Sequence, residues 1–587
     1  MMLKSRRLLV ALGKIDLGRP AALSSNFPVN YLSRIASQKH DSIVASPWKS
    51  IDIPDATLPE FVFENSSKWA DKVAVECGLT GKGYTYDELR INSKRLACAL
   101  LKAGLNRGDT VTLLLPNMPE YAVSYYGVME AGLTLSAINP LYSADEIAHQ
   151  LTDSGSKYII CHHDSLEKAL TARNLLERNL HVICVNDFDG RTREIPSCVR
   201  PFSDLISPRD ISDLEKQAHP VAANETTAFL PYSSGTTGLP KGVCLTHKNL
   251  VANVAQITHN DITINQPTTK DHQDSVIAVL PFFHIYGSTV SLSRTLREGG
   301  KVVTLPKFEP ASFLNSLSTN KNIVLYAAPP MIIFLASHPS ATEKHLKHLR
   351  ITMTGGAPCS DSDLEKLFDK KKHVVIQGYG LTESAPVLTH SHQDYKDRAS
   401  TGAIVSNTLA KVVDTETGKD LPAGETGELC FKGPQIMKCY HNRPEATAET
   451  IDKDGWLHTG DVGYINELKN CFIVDRKKEL IKVKGFQVPP AELESILRQH
   501  PKLYDAGVTS LPCSRNGEVP VAFVVPNPGN QNIKEEEIKD YVASKVAPYK
   551  KVSKVVFVDA IPKNPSGKIL RRVLKEMIQT ELQQKQR

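Results

Sequence analysis

The chain has 587 residues, 41% of them apolar and 23% charged, a composition that excludes disordered, collagen-like and coiled-coil proteins. Lys plus Arg number 70 against 64 Asp plus Glu, and residues 1–40 carry the whole surplus, with seven basic residues against Asp16 alone. The balanced remainder argues against a broad phosphate-tracking surface, so nucleic acid is not an expected partner. No apolar run reaches the roughly 18 residues a bilayer span needs, so no transmembrane segment is expected.

Residues 1–40 are basic, Ser-rich and acid-poor. As a helix, residues 3–14 would gather Lys4, Arg7 and Lys14 on one face and Leu8, Leu9 and Leu12 on another. That pattern fits a mitochondrial transit segment, with a matrix destination. A secretory signal fits less well, because Gly13 and Lys14 cut the apolar stretch short. The plain alternative is an N-terminal tail on a cytoplasmic protein. The last residues, Gln584-Lys585-Gln586-Arg587, are not a Ser-Lys-Leu-type peroxisomal ending.

Beyond the leader, helix-length patterns alternate with short β-branched runs. The spacing predicts helices over Tyr86–Leu105, Glu120–Gly132 and Ser143–Asp153, the last with Ser143 as its cap. Strands are predicted over Val111–Leu115, Tyr158–Cys161, Val182–Val185, Val276–Leu280, Lys301–Leu305, Val324–Ala327, Leu349–Thr354 and Val374–Gln377. Strands separated by helices mean βαβ units and parallel sheets covered on both faces. From about residue 400, strands Lys411–Val413, Gly427–Lys432 and Cys471–Val474 are joined by turns, as in an antiparallel, barrel-like insert. After the charged run Asp475–Glu479 comes a compact stretch with strands Ala506–Ser510, Val519–Val525 and Val552–Val558 and helices Pro490–Gln499 and Lys534–Lys545. The expected class is α/β: a large N-terminal domain of two parallel-rich sheets with helices plus a barrel-like subdomain, and a small mobile α+β C-terminal domain. The boundaries read as a transit segment 1–40, a large domain 41–474, a hinge 475–478 and a lid 479–587.

Eleven cysteines form no Cys-x-x-Cys pair, and most sit in apolar settings, as expected of buried thiols in a reduced compartment. Cys161-His162-His163 and His390-Ser391-His392 lack a partner cluster at zinc spacing, so these histidines are expected to face solvent and no structural zinc is expected.

The chemistry concentrates in Ser233-Ser234-Gly235-Thr236-Thr237-Gly238-Leu239-Pro240-Lys241-Gly242. Small residues let a backbone approach a ligand closely, and successive N–H groups can wrap phosphate oxygens. Lys241 adds a positive charge. The Walker spacing is not present, and a Gly/Ser/Thr surface loop is the plain alternative.

This loop resembles the phosphate-loop signature of the adenylate-forming superfamily: acyl-CoA synthetases, 4-coumarate–CoA ligases, beetle luciferases and nonribosomal adenylation domains. Further signatures follow in that family's order: Pro281–Gly287, Thr354–Pro358, Tyr379–Ser384, Gly455–Asp461, Asp475–Gln487 and Pro562–Lys568. The resemblance covers about residues 60 to 575, and the run Asp475–Val488 is most similar to 4-coumarate–CoA ligases and their fatty-acyl relatives.

The resemblance implies an ATP-dependent acid–CoA ligase. A carboxylate attacks the α-phosphate of ATP and expels pyrophosphate; CoA thiol then attacks the acyl-adenylate and AMP leaves. The implied cofactors are ATP, Mg²⁺ and the co-substrate coenzyme A; the partner is a small-molecule carboxylic acid. Glu383 is implied as metal ligand, Thr382 as an α-phosphate contact, and Lys568 as the cation spanning carboxylate and phosphate. Gly355, Gly356, Ala357, Tyr379 and Gly380 would take adenine, Asp461 the ribose hydroxyls with Arg476 assisting. His284 would abut the acyl carboxylate. Rotation of the lid at the hinge would withdraw Lys568; Lys482 and Gln487 would act from opposite faces in different steps, with Lys484 and Gly485 lining the approach of CoA. By motif position, His284, Tyr286, Ser288, Met331, Gly356 and Val387 border the acyl pocket, with Gly287 and Gly356 leaving depth. The acid is expected to be a medium- or long-chain fatty acid or an arylpropenoic acid. Rival readings are a carrier-protein thiol as acceptor, a luciferase-like oxygenation, or a non-catalytic nucleotide-binding relative. Monomer and homodimer both stay open.

Overall fold

The computed structural model describes residues 42–586 apart from 187–192, 209, 212–213, 215–221, 234–239, 395–396, 485, 514–515 and 565–566. The expected transit segment therefore lies outside the described residues, as do Ser234, Gly235, Thr236, Thr237, Gly238 and Gly485 of the expected site.

Local sequence sets most of the elements. Helix Ala144–Asp153 starts where Ser143 accepts a hydrogen bond from Glu146 N–H and Glu146 reaches back to the Ser143 N–H, while Ile147, Ala148 and Leu151 turn inward. Thr85 and Glu88 start Tyr86–Lys102 in the same way. Strands Thr110–Leu114, Tyr158–His162 and Ile323–Ala327 are buried along their whole length, which is why they lack the in-out alternation of a half-exposed strand.

These elements build two mixed sheets. The first runs Tyr232–Ser233, Lys241–Thr246, Thr227–Leu230, Thr134–Ala137, Thr110–Leu114, Tyr158–His162, His181–Val185, Val199–Pro201, antiparallel at the Lys241 end and parallel beyond it. The second has fifteen strands. Its parallel part, from Val73–Cys77 to Val374–Gly380, holds Lys301–Thr304, Ser275–Ala278, Ile323–Ala327 and Leu349–Thr354 between them.

The antiparallel strands beyond residue 400 are not a separate insert. Val387–His390 pairs antiparallel with Val374–Gly380 and then with Gly402–Ile404, so the region continues the parallel sheet through unbroken hydrogen bonding. Its strands curl around a shared core of Leu388, Ile404, Val412, Leu429, Phe431 and Ile465. Sequence could show the loss of helices there, but not which edge the new strands would extend.

The small C-terminal domain carries its own five-stranded sheet, with Phe486–Val488, Ile481–Val483, Gly517–Pro526, Leu503–Cys513 in order and Lys554–Phe557 parallel to Gly517–Pro526. Its two hydrophobic cores contain no residue from before Ile481. The chain crosses over at the end of strand Asn470–Arg476 and the turn at Lys477-Lys478. Asp475 and Arg476 are thus strand residues of the large domain. Asp475 reaches across to accept the Ala491 N–H at 2.9 Å, capping the first turn of the small domain's helix Pro490–Arg498. A second tie joins Arg498 to Asp363 of the large domain at 3.5 Å.

Two histidine expectations are corrected. His162 and His390 are buried, not solvent-facing. His390 sits between Arg294 and the Ser391 carbonyl, and burial beside the Arg294 cation depresses its pKa to about 3, so it is a neutral core residue. All eleven cysteines are free thiols and seven are buried. Among the described residues, no helix is long and apolar enough to cross a membrane.

Candidate active site

The parallel strands Leu349–Thr354 and Val374–Gly380 release their C-terminal ends, together with the segment after Ser275–Ala278, into one cavity of about 1100 Å³ beneath the small domain. A crevice at the carboxyl ends of parallel strands is the general ligand position in α/β sheets. The cavity brings together Ser233, Lys241, His284, Tyr286, Gly355, Gly356, Tyr379, Gly380, Thr382, Glu383, Val387, Arg476, Lys482 and Lys568, residues scattered over more than three hundred positions. A narrower recess of about 160 Å³ adjoins it, adding Ala357 and Asp461 to Gly356, Tyr379, Arg476 and Lys568.

Ser233 and Lys241, on either side of the loop segment that lies outside the described residues, face each other across a short antiparallel ladder. The Lys241 ammonium lies 4.9 Å from the centroid of the Tyr440 ring. The Tyr440 hydroxyl donates to Glu383 Oε1 at 2.7 Å. Glu383 sits in the turn Thr382–Ser384, which ends at Ala385 with a left-handed φ of 64°. Such a backbone angle in a residue with a side chain is uncommon, and strained turns of this kind gather at ligand sites.

In the adjoining recess, Asp461 and Arg476 are partners across strands Leu457–Ile465 and Asn470–Arg476, with Arg476 Nε 3.3 Å from Asp461 Oδ1. Asp461 Oδ2 accepts from the Tyr379 hydroxyl at 2.6 Å. Burial raises the Asp461 pKa, against the opposing pull of Arg476, the Tyr379 hydrogen bond and Lys568. Burial first, then the Asp461 charge, pushes the Tyr379 phenol well above its usual value, so it stays a donor.

Lys568 enters the cavity from the small domain. Its Nζ is 3.6 Å from Glu479 Oε1, and Glu479 is also paired with Arg571. Desolvation, reinforced by Arg476, lowers the Lys568 pKa to about 8. The loop approaches so closely that a Cβ on Gly567, at φ +84°, would stand 2.6 Å from Pro330 Cδ. His284 lines the cavity; burial alone drops its pKa to about 4, making it neutral near pH 7. Tyr286 spends its hydroxyl on the Met353 carbonyl at 3.3 Å, so that wall presents its ring together with Met353 and Val387.

Several predicted positions are corrected. Ser288 is fully buried, and its Oγ turns back to the His284 and Ile285 carbonyls instead of lining the cavity. Met331 packs in the core from helix Pro329–Ser337. Gly287 gives no pocket depth: a Cβ there would meet the Pro281 carbonyl oxygen at 2.1 Å, so glycine is required by backbone packing. Lys482 and Gln487 are direct cross-strand partners and so project to one face of their hairpin, not to opposite faces. Lys482 lines the cavity, whereas Gln487 and Lys484 are exposed outside it. Tyr440, Met353 and Glu479 were not singled out in the sequence. Tyr440 falls between the motifs named above, and Glu479 is hidden inside a charged run.

Residues 62–441 match the AMP-binding enzyme family and residues 492–568 its C-terminal domain. The chain belongs to the AMP-binding enzymes. It is an ATP-dependent, acyl-adenylate-forming acid–thiol ligase. Similar proteins include 4-coumarate–CoA ligase 3 of Arabidopsis thaliana, 41% identical over 540 residues, covering 91% of this chain and 93% of that one. 4-Coumarate–CoA ligase 1 of Petroselinum crispum is 40% identical over 550 residues, covering 92% and 97%. Among solved structures, ATP-bound MatB from Rhodopseudomonas palustris superposes with a TM-score of 0.79 at 29% identity, covering 89% of this chain and 99% of that one.

Proposed function

We propose that this AMP-binding enzyme joins an apolar-bodied carboxylic acid to coenzyme A, with arylpropenoic acids of the 4-coumarate kind as its first substrates and medium- or long-chain fatty acids as its second. The observation that carries the reading is the convergence of Lys568, Lys241, Glu383 and Asp461 on a cavity whose acyl side is walled by Tyr286, Met353 and Val387. The similarity to 4-coumarate–CoA ligases over nine-tenths of the chain supports the arylpropenoic choice.

In the first half-reaction the acid's carboxylate oxygen attacks the α-phosphorus of ATP, and the bond to pyrophosphate breaks. Two anions must meet, so the barrier is largely electrostatic. Lys568 supplies a positive charge between them from the small domain, and Lys241 a second one beside the phosphate loop. Neutral His284 can approach the acyl carboxylate with no change of charge. Asp461 takes the ribose hydroxyls, with Arg476 beside it assisting. Glu383 fits a divalent cation: its carboxylate lines the cavity beside Ser233 and Lys241, with one oxygen fixed by Tyr440. A Mg²⁺ held there would neutralise charge on the departing pyrophosphate.

In the second half-reaction the thiol sulfur attacks the acyl carbon, and the bond to AMP breaks. The mixed anhydride makes this transfer downhill with no covalent enzyme intermediate, so none of the cysteines is needed as nucleophile. Rotation of the small domain about the Lys477-Lys478 turn would withdraw Lys568 and re-aim Lys482, which already lines the cavity, toward the acyl-adenylate. The deciding experiment measures ATP-dependent pyrophosphate release over a panel of arylpropenoic and aliphatic acids, with and without CoA, with products identified by mass. Acyl-CoA from the arylpropenoic acids supports the reading; adenylate that stalls with CoA present would move the acceptor elsewhere.

A further inference from the structure

Tyr440 lies outside the motifs named in the sequence analysis, yet it meets two charged groups of the site that come from distant segments. Its hydroxyl donates to Glu383 Oε1 at 2.7 Å, and the Lys241 ammonium lies 4.9 Å from its ring centroid. The residue itself is firmly held. Strand Cys439–Tyr440 pairs antiparallel with the strand that starts at Lys241, Tyr440 facing Val243. The Tyr440 N–H donates to Thr447 Oγ1 at 3.0 Å, and the Met437 N–H donates to the Glu383 carbonyl at 2.8 Å. Only 7% of Tyr440 is exposed.

We propose that Tyr440 is a positioning residue for the nucleotide's charge: its hydroxyl aims the Glu383 carboxylate at a cation on the triphosphate, and its ring face holds the Lys241 ammonium over the phosphates. A carboxylate with one oxygen fixed by a charge-assisted hydrogen bond keeps the other available in a single orientation. A cation above an aromatic face gains electrostatic attraction without losing its charge to a carboxylate, so Lys241 stays available to phosphate. One side chain thereby spaces the acid and the base at the phosphate end.

This inference rests on the roles given above to Glu383 and Lys241, and the test separates the two. ATP binding to the full chain is measured by titration calorimetry with no acid present, once in excess Mg²⁺ and once in excess EDTA. The ratio of the two dissociation constants reports the cation's contribution. Tyr440→Phe keeps the ring and removes the hydroxyl; it should lose about tenfold of that ratio while binding in EDTA stays at the wild-type value. Tyr440→Leu removes both and should weaken binding in EDTA as well. Glu383→Gln is the reference and should lose at least as much of the Mg²⁺-dependent ratio. A wild-type ratio in Tyr440→Phe beside a reduced ratio in Glu383→Gln would overturn the role of Tyr440. A wild-type ratio in both would overturn the assignment of Glu383 itself. Thermal unfolding of Tyr440→Phe near the wild-type temperature keeps the comparison valid should Tyr440→Leu fail to fold.

Discussion

Lys568 and Glu479 approach to 3.6 Å inside the small domain, with Arg571 closing the other side of the carboxylate. The lysine is therefore not a free surface cation but a partly desolvated ammonium whose pKa has fallen to about 8. The protonated form is the one that can bridge carboxylate and phosphate. Adenylate formation should accordingly lose rate as pH rises through about 8, while thioester formation from supplied acyl-adenylate should not share that limb. Pyrophosphate release against pH, run beside the second half-reaction, checks it.

Lys568→Ala should slow adenylate formation by about a hundredfold or more, the usual cost of removing a transition-state charge partner. A supplied acyl-adenylate should still be converted to thioester at near the wild-type rate. Equal loss in both half-reactions would rule out alternation of the two domain faces.

Lys482→Ala should show the converse, with adenylate formation retained and thioester formation slowed. Because Gln487 shares its face of the hairpin, the two substitutions together should act in the same half-reaction. Single-turnover kinetics of each half-reaction with the two single variants and the double variant test this.

Gly567→Ala would place a Cβ 2.6 Å from Pro330 Cδ at a backbone angle that suits glycine. The substitution should obstruct docking of the Lys568 loop against the large domain. Adenylate formation should fall about tenfold or more with the thioester step spared. By contrast, Gly287→Ala would strike the Pro281 carbonyl within the large domain. It should lower stability by about 1–3 kcal/mol without moving the preference among acids. Thermal unfolding and an acid panel distinguish the two outcomes.

Residues 1–40, the basic acid-poor segment, are proposed as a mitochondrial address. Fused to a fluorescent protein they should direct it to mitochondria; diffuse cytosolic signal would return the segment to the tail reading.

Much of the fold was legible because its signals are local. Ser143 and Glu146 define a helix start within four residues, and the apolar runs at Tyr158 and Val182 are long enough for buried strands and too short for helices. The motif glycines and charged residues were legible as a set, and their order along the chain pointed to the family. What misled was direction. Ser288 and Gly287 follow His284 in sequence, but the helical turn carries them away from the cavity and into the backbone of the preceding loop. Gln487 belongs to the same motif as Lys482, yet only the hairpin register shows that they share a face.

The amino-acid order by itself determined the elements, the two-domain division and the chemical class, since capping, periodicity and motif composition act over a few residues. Tertiary structure alone decided which side chains meet. Tyr440 reaches Glu383 across 57 positions, and Asp363 reaches Arg498 from one domain to the other. Such contacts depend on sheet order and strand register, which arise when distant strands compete for the same hydrogen-bonding edge, and that competition leaves no mark in a local stretch of sequence.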